Sequence, residues 1–392
     1  MAITDFLELD RTLSDEQRIV RDTVRRFVDA EVLPHIGQWC AEGRFPEHLI
    51  PMMGEMGLFG STLPEEYGCA QVDSLTYGLI MQELERGDSG LRSFASVQSG
   101  LVMYPIFSFG NDEQKKQWLP KMATGEKIGC FGLTEPDGGS NPIGMKTRAV
   151  QDGKQYVLSG AKMWITNGNL SDVAVVFAQT GAAGDHRAVR GFLVEKGTPG
   201  FKVNEVQRKI GLRASNTSEL VFEDCRIPAE NLLPGTSQGL KCALMCLNQA
   251  RYGIAFGAVG AAIGCFEEAV GYTAQRAPFG KSLDHYQITQ MKLADILTQI
   301  TLGQLICFRL AALKDAGALQ PEQISMAKRN NCRMALETAR RCRELLGANG
   351  ITYEFHAGRH ETNLISVDTY EGTYEVHTLI LGQKITGKNA FD

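Results

Sequence analysis

The sequence predicts a mainly α chain with a central β domain, and three observations predict it. Apolar residues recur at helical spacing through the first third. From about Gly129, Val, Thr and aromatic residues alternate with polar ones in short runs bounded by turn residues. After Gly239 the helical period returns and holds. Domains are therefore drawn at 1–128, 129–238 and 239–392, and 392 residues suffice for two or three such units around a large core.

Ser14, with Gln17 three residues on, gives a capping-box start to the first helix. Ile19, Val20, Val24, Phe27 and Val28 then keep helical spacing until Pro34. Helical patterning continues in Leu79–Glu85 and Asp112–Lys116. In the β region, Asp152-Gly153 between two alternating runs signals a hairpin. Apolar runs at Val173–Phe177, Gly191–Val194 and Leu220–Phe222 read as strands, and the domain ends between Pro228 and Gly239. Beyond it, Gly253, Gly257, Gly260 and Gly264 share one helix, which they weaken unless close contact with another helix recovers the loss. Ile288, Met291, Leu293, Ile296, Leu297, Ile300 and Leu302 form an apolar surface too wide for a lone surface helix, as in a bundle interior or subunit interface.

A net charge of -5 gives no footing for a nucleic-acid surface. The ten scattered cysteines have neither Cys-x-x-Cys nor His/Cys spacing, so no metal is expected and they read as reduced core thiols. The acidic N-terminus lacks signal-peptide features, and the apolar run Tyr252–Phe266 is shorter than a membrane span. A soluble, cytoplasmic protein without membrane insertion is expected.

Several stretches could carry chemistry. In Asp368–His377, Glu371 stands beside Gly372, which permits close approach of backbone to a ligand, and Thr373, Tyr374 and Glu375 follow before an apolar run. Glu371 is either an acid aimed into a cavity or a first-turn cap of the next helix. Cys130–Pro142 runs from a strand into a Gly/Ser loop able to offer N–H groups to an anion. Trp164-Ile165-Thr166 is either core strand or an aromatic platform. Arg276 with Phe279 suits a pyrophosphate or adenine contact, or a helix end, and Glu344–Gly350 is a glycine-stopped helix C-terminus. Neither a Rossmann fingerprint nor a P-loop is present.

Together, Leu-Thr-Glu-Pro-x-x-Gly-Ser, Trp-Ile-Thr, Arg-x-x-Phe-Gly, Leu-Gly-x-Asn-Gly and Tyr-Glu-Gly-Thr, in this order over nearly the whole chain, resemble the acyl-CoA dehydrogenase family. Glu83–Ser93, Ser96–Met103, Cys246–Gly253 and Arg359-His360 look closer to its glutaryl-CoA dehydrogenase branch. The resemblance implies an N-terminal helical domain, a middle β domain and a C-terminal four-helix bundle, assembled as a homotetramer with FAD between β domain and bundle. It assigns flavin contacts to Phe131, Leu133, Thr134, Gly139 and Ser140, and to Trp164, Ile165 and Thr166. Adenine and pyrophosphate contacts fall to Arg276, Phe279, Gln287, Glu344, Leu345, Gly347 and Ala348, some reaching a neighbouring subunit's cofactor. Thr373, Tyr374 and Glu375 would hold FAD beside the base. Ser140, Leu247, Asn248, Arg251 and Gly372 match the acyl-CoA channel.

The resemblance makes Glu371 the base that removes the thioester α-proton, while hydride passes from the β-carbon to flavin N5. Burial raises such a carboxyl toward the working range. Relatives that carry the base near the Arg251 position are not matched, because no Asp or Glu lies between Glu230 and Glu267. Arg92 and Ser93 imply a substrate with a distal carboxylate, since an apolar tail would leave a buried guanidinium unpaired. Glu85 and Tyr370 match positions that tune proton traffic, which favours glutaryl-CoA going to crotonyl-CoA and CO2. The alternative is a non-decarboxylating dehydrogenase or enoyl-CoA reductase for another dicarboxylyl-CoA or acyl-CoA. The acceptor implied is an electron-transfer flavoprotein. Asn141, Leu91 and Tyr374 depart from the usual Asp, Tyr and His, and Leu91 borders the carboxylate end of the pocket.

Overall fold

The computed structural model describes residues 3–391. Seven helices fill the first third: α1 (Asp15–Phe27), α2 (Ile36–Glu42), α3 (Leu49–Glu55), α4 (Ser74–Gly87), α5 (Ser89–Ser96), α6 (Tyr104–Phe109) and α7 (Asp112–Ala123). The predicted capping box is formed, with Ser14 Oγ accepting from Gln17 N–H at 3.1 Å and Gln17 Oε1 from Ser14 N–H at 2.9 Å. Between α5 and α6, Val97–Met103 winds with wider i→i+5 turns, a form common near functional sites. Its Gln98 accepts from Gly129 N–H and donates to the Met122 and Lys127 carbonyls, tying the helices to the sheet.

The sheet has seven strands, β1 (Gly129–Gly132), β2 (Arg148–Asp152), β3 (Gln155–Thr166), β4 (Val173–Gln179), β5 (Val189–Glu195), β6 (Phe201–Glu205) and β7 (Thr217–Pro228). Their order is β1-β4-β2-β3-β7-β6, with β5 on β4. Asp152 pairs with Gln155, so the predicted hairpin turns through two residues.

The last third holds α8 (Leu240–Gln275), α9 (Gln287–Asp315), α10 (Pro321–Leu346), α11 (His356–Thr369) and α12 (Tyr374–Thr386). The α8 glycines do let a helix in: a Cβ on Gly260 would lie 1.8 Å from the Gln82 carbonyl oxygen, and one on Gly257 2.0 Å from Glu85 Oε2. Both neighbours belong to α4. Helices α8 and α9 are long and apolar enough to cross a bilayer, yet 78% of the apolar window of α8 is buried inside the fold. On α9 the apolar surface divides: Ile296 and Ile300 are buried, whereas Ile288, Met291 and Leu302 face out. All ten cysteines are free and buried.

Candidate active site

Asp88 breaks the path between α4 and α5 and caps the second, accepting from Gly90 N–H at 2.7 Å. Its other carboxyl oxygen accepts from Arg359 and Asn363 on α11, which fixes the corner. The corner turns Glu85, in the last turn of α4, toward Arg92, in the first turn of α5. Arg92 Nε donates to Glu85 Oε2 at 2.5 Å, and the two side chains are 1% and 0% exposed. Such a pair is held in place by the surrounding packing, because breaking it would strand a buried charge. Arg92 also donates to the Tyr370 hydroxyl, which sits 3.3 Å from Ser93 Oγ. Among the described residues Arg92 Nη1 and Glu85 Oε1 have no hydrogen-bond partner.

Tyr370, Glu371 and Gly372 link α11 to α12. Glu371 is left-handed (φ 53°), and Gly372 has φ 104°. A side chain at Gly372 would press His377 Nε2 at 2.8 Å, so this position requires glycine twice over. Thr373, not Glu371, caps α12, accepting from Val376 N–H at 3.2 Å. The capping reading of Glu371 therefore fails. Its Oε2 is enclosed without a partner. Burial pushes the Glu371 carboxyl above its ordinary 4.5, while Arg92, Arg251 and Lys328 pull it back down. Arg251, on α8, reaches the turn through its backbone, donating from Nε to the Glu371 carbonyl at 2.7 Å.

Glu85, Arg92, Ser93, Arg251 and the Tyr370–Gly372 turn thus form one cluster. Leu247 and Asn248 lie about one turn earlier on α8, partly buried, and Asn248 borders a groove of about 240 Å³ with Lys314 and Tyr104. Tyr374 lies on the far side of the turn. Its ring is flanked by Arg329 and Arg333, at 4.2 and 4.4 Å, beside a cavity of about 550 Å³. Glu375 is exposed, and Thr373 spends its hydroxyl oxygen on the helix cap.

In the β domain, Lys162 Nζ binds Glu135 Oε1 at 2.8 Å and the Leu133 carbonyl at 3.1 Å, and Met163 N–H binds the Thr134 carbonyl at 2.8 Å. These bonds set the loop that starts at Leu133 against β3, leaving Gly139 and Ser140 exposed at its tip. β3 bulges between Lys162 and Ile165, and Trp164 at φ 64° turns its indole outward, 60% exposed. Ile165 is core, Thr166 partly open, and Phe131 and Leu133 are buried beneath the loop. Asn167 donates to the Phe94 carbonyl at 3.4 Å, joining the end of this strand to α5. Arg276, Phe279, Gln287, Glu344, Gly347 and Ala348 are exposed, with Leu345 half-buried behind them. Among the described residues no hydrogen bond links them to the Glu371 cluster.

Sequence reasoning missed Lys328, Asp88 and His377, all buried at or beneath the cluster. His377 packs against the backbone of Glu371 and Gly372, and burial with Lys328 and Arg251 holds it down to about 3. No group of three or more His, Cys, Asp or Glu among the described residues could hold a metal ion.

Three domain families match in order: acyl-CoA dehydrogenase N-terminal domain at residues 14–126, middle domain at 130–225 and C-terminal domain at 237–386. A glutaryl-CoA dehydrogenase from Mycobacterium smegmatis, solved in complex with FADH2, superposes over 100% of both chains at 50% identity and a TM-score of 0.96. A chain in the structure described as electron transferring flavoprotein of Acidaminococcus fermentans is 34% identical, covering 96% of this chain and 99% of its own, with a TM-score of 0.93. The short-chain specific acyl-CoA dehydrogenase of Rattus norvegicus mitochondria is 36% identical over 94% of this chain and 90% of its own.

Proposed function

From the premise that the chain belongs to the acyl-CoA dehydrogenase family, we propose that it oxidises glutaryl-CoA at the α,β carbons and releases CO2 to give crotonyl-CoA. The carrying observation is the enclosed, unpartnered carboxyl oxygen of Glu371 in the same cluster as buried Arg92. Glu371 takes the α-proton. Arg92, with Nη1 open and the Ser93 and Tyr370 hydroxyls at hand, holds the distal carboxylate. After oxidation that carboxylate is vinylogous to a thioester carbonyl and leaves as CO2. Glu371 then returns its proton to the resulting dienolate, within reach of Tyr370 and Glu85.

The residues fit FAD on one structural observation: an indole turned outward from a left-handed strand bulge, beside an exposed Gly/Ser loop, is a platform on which no ring among the described residues stacks. Trp164, Thr166, Thr134 and Ser140 would hold the flavin, and FAD when bound supplies the hydride acceptor. Arg276 and Phe279, exposed on a turn, and Gln287, exposed at the start of α9, would serve the cofactor of a neighbouring copy in a homotetramer, which the outward apolar residues of α9 support. An electron-transfer flavoprotein is the acceptor in this proposal, supported by family membership, and the ten buried free thiols support a cytoplasmic setting.

The test mixes the purified yellow protein with glutaryl-CoA and an artificial electron acceptor and weighs the acyl-CoA products. Crotonyl-CoA with CO2 is expected. Accumulating glutaconyl-CoA would keep the dehydrogenase and remove the decarboxylation. A second reading, oxidation of a short acyl-CoA without CO2 loss, has one observation in its favour: Glu85 already compensates Arg92 without a substrate carboxylate. Turnover of butyryl-CoA but not glutaryl-CoA would select it.

Because the base must be ionised, kcat/KM should rise with pH through the Glu371 pKa. Burial raises that pKa, so the acid limb is expected above the ordinary 4.5, fully developed on its alkaline side and lost as pH falls through it. A pH profile whose acid limb lies at or below that value would remove Glu371 from the role.

A further inference from the structure

Three successive carbonyls of the base's turn each accept from a cation, two from the buried Lys328 and one from the partly buried Arg251. Lys328, on α10, donates from Nζ to the Tyr370 oxygen at 2.7 Å and the Gly372 oxygen at 2.6 Å, on either side of the Glu371 carbonyl that Arg251 holds. Lys328 is 1% exposed, and among the described residues no carboxylate forms a salt bridge with it. An ammonium buried against two carbonyls and the Tyr370 ring, 5.8 Å away, with no ion-paired carboxylate is costly for a purely structural role. A lysine serving only as a cap for α11 would need the Tyr370 carbonyl alone. The Gly372 carbonyl lies beyond the helix, across the left-handed residue.

The Tyr370 carbonyl and the Glu371 N–H belong to one peptide group. A cation on that oxygen polarises the group and strengthens its N–H as a donor. Among the described residues the Glu371 N–H has no acceptor. We propose that Lys328 is a positioning residue for proton abstraction: it clamps the turn so that Glu371 stays left-handed, and it polarises the Tyr370–Glu371 peptide, strengthening the Glu371 N–H for the contact to the thioester oxygen that the family resemblance already implies. As the α-carbon–hydrogen bond breaks, the proton passes to the Glu371 carboxylate and the electron pair moves onto that oxygen as an enolate. The inference rests on the reading of Glu371 as base.

The charged and titratable groups around this turn come from every packed element: Tyr77 and Glu85 on α4, Arg92 on α5, Arg251 on α8, Cys332 on α10, Asp368 on α11 and His377 on α12. Removing Lys328 deletes one of the cations that pull the Glu371 pKa down.

The experiment uses flavin-loaded enzyme and a CoA thioester with sulfur at the β-position, which can lose an α-proton but has no β-hydride. Deuterium wash-in at its α-carbon, read by mass, reports proton abstraction apart from oxidation. Lys328→Met should slow wash-in at least about tenfold, leave thioester affinity within about threefold, and move the acid limb of the exchange profile to higher pH. Lys328→Gln, keeping a donor without the charge, should fall between. Parental wash-in with an unmoved limb in Lys328→Met would overturn the proposal. Loss of flavin binding by both variants would assign Lys328 to folding and overturn it too. Glu371→Gln runs alongside: if it exchanges α-protons at the parental rate, the base assignment fails whatever Lys328 does.

Discussion

Glu371→Gln should bind its flavin as the parent does and lose on the order of a thousandfold in turnover. The two halves of that expectation have separate structural causes. The turn is held through backbone, since Arg251 and Lys328 bond the carbonyls of residues 370–372 and not the Glu371 side chain. The substitution therefore leaves the clamp, the left-handed residue and the Thr373 cap intact. What it removes is a carboxylate whose enclosed oxygen has no other partner. Glu85, the other carboxylate in the cluster, is engaged by Arg92 at 2.5 Å and is not free to substitute. Flavin content and melting temperature should match the parent while glutaryl-CoA fails to bleach the flavin. Full bleaching at the parental rate would mean another base.

The second large effect concerns Arg92. Charge-assisted hydrogen bonds to a carboxylate are each worth ~1.5–3 kcal/mol, so Arg92→Met should weaken glutaryl-CoA on the order of a hundredfold and butyryl-CoA very little. The single variant has a second consequence. It strands Glu85, fully buried, and removing one partner of such a pair destabilises by about 3–5 kcal/mol. The discriminating variant is therefore Arg92→Met with Glu85→Gln, which removes both charges together. Steady-state KM and kcat for both thioesters, measured on protein that melts near the parental temperature, give the answer. Equal losses for the two substrates would refute carboxylate pairing at Arg92.

Much of the frame was legible because it rests on local rules. Ser14 with Gln17, the Asp152-Gly153 hairpin and the small-residue face of α8 each name their structure within a few residues. At Glu371 the glycine neighbour and the following helix left two readings open, cavity acid or helix cap; the base role came only with the family resemblance, and the cap of that helix is Thr373. Lys328 was not, because Ser325-Met326-Ala327-Lys328-Arg329 looks like any helix with surface lysines. A signal was present: Ile324, Ala327, Asn331 and Cys332 are also buried and place Lys328 on the inward face at helical spacing. The positive φ of Glu371 and Trp164 left no trace, since neither residue type favours it and only the surrounding structure imposes it. Likewise the role of Asp88 left no local trace, because its bonds to Arg359 and Asn363 span more than 270 residues.

Gly257 sets an order on evolutionary history. A methyl group there would land 2.0 Å from Glu85 Oε2 and 3.0 Å from Arg92 Nε, so glycine at 257 is a steric condition of the ion pair. A lineage drifting toward apolar acyl tails could not begin with Gly257, which would wedge the pair apart, nor with Arg92 or Glu85 alone, since losing either seals the other's charge in the core. The accessible route replaces the two charges together, and only then can position 257 accept a side chain and shrink the emptied space. Ancestral sequences reconstructed along such a branch should show the pair replaced before Gly257.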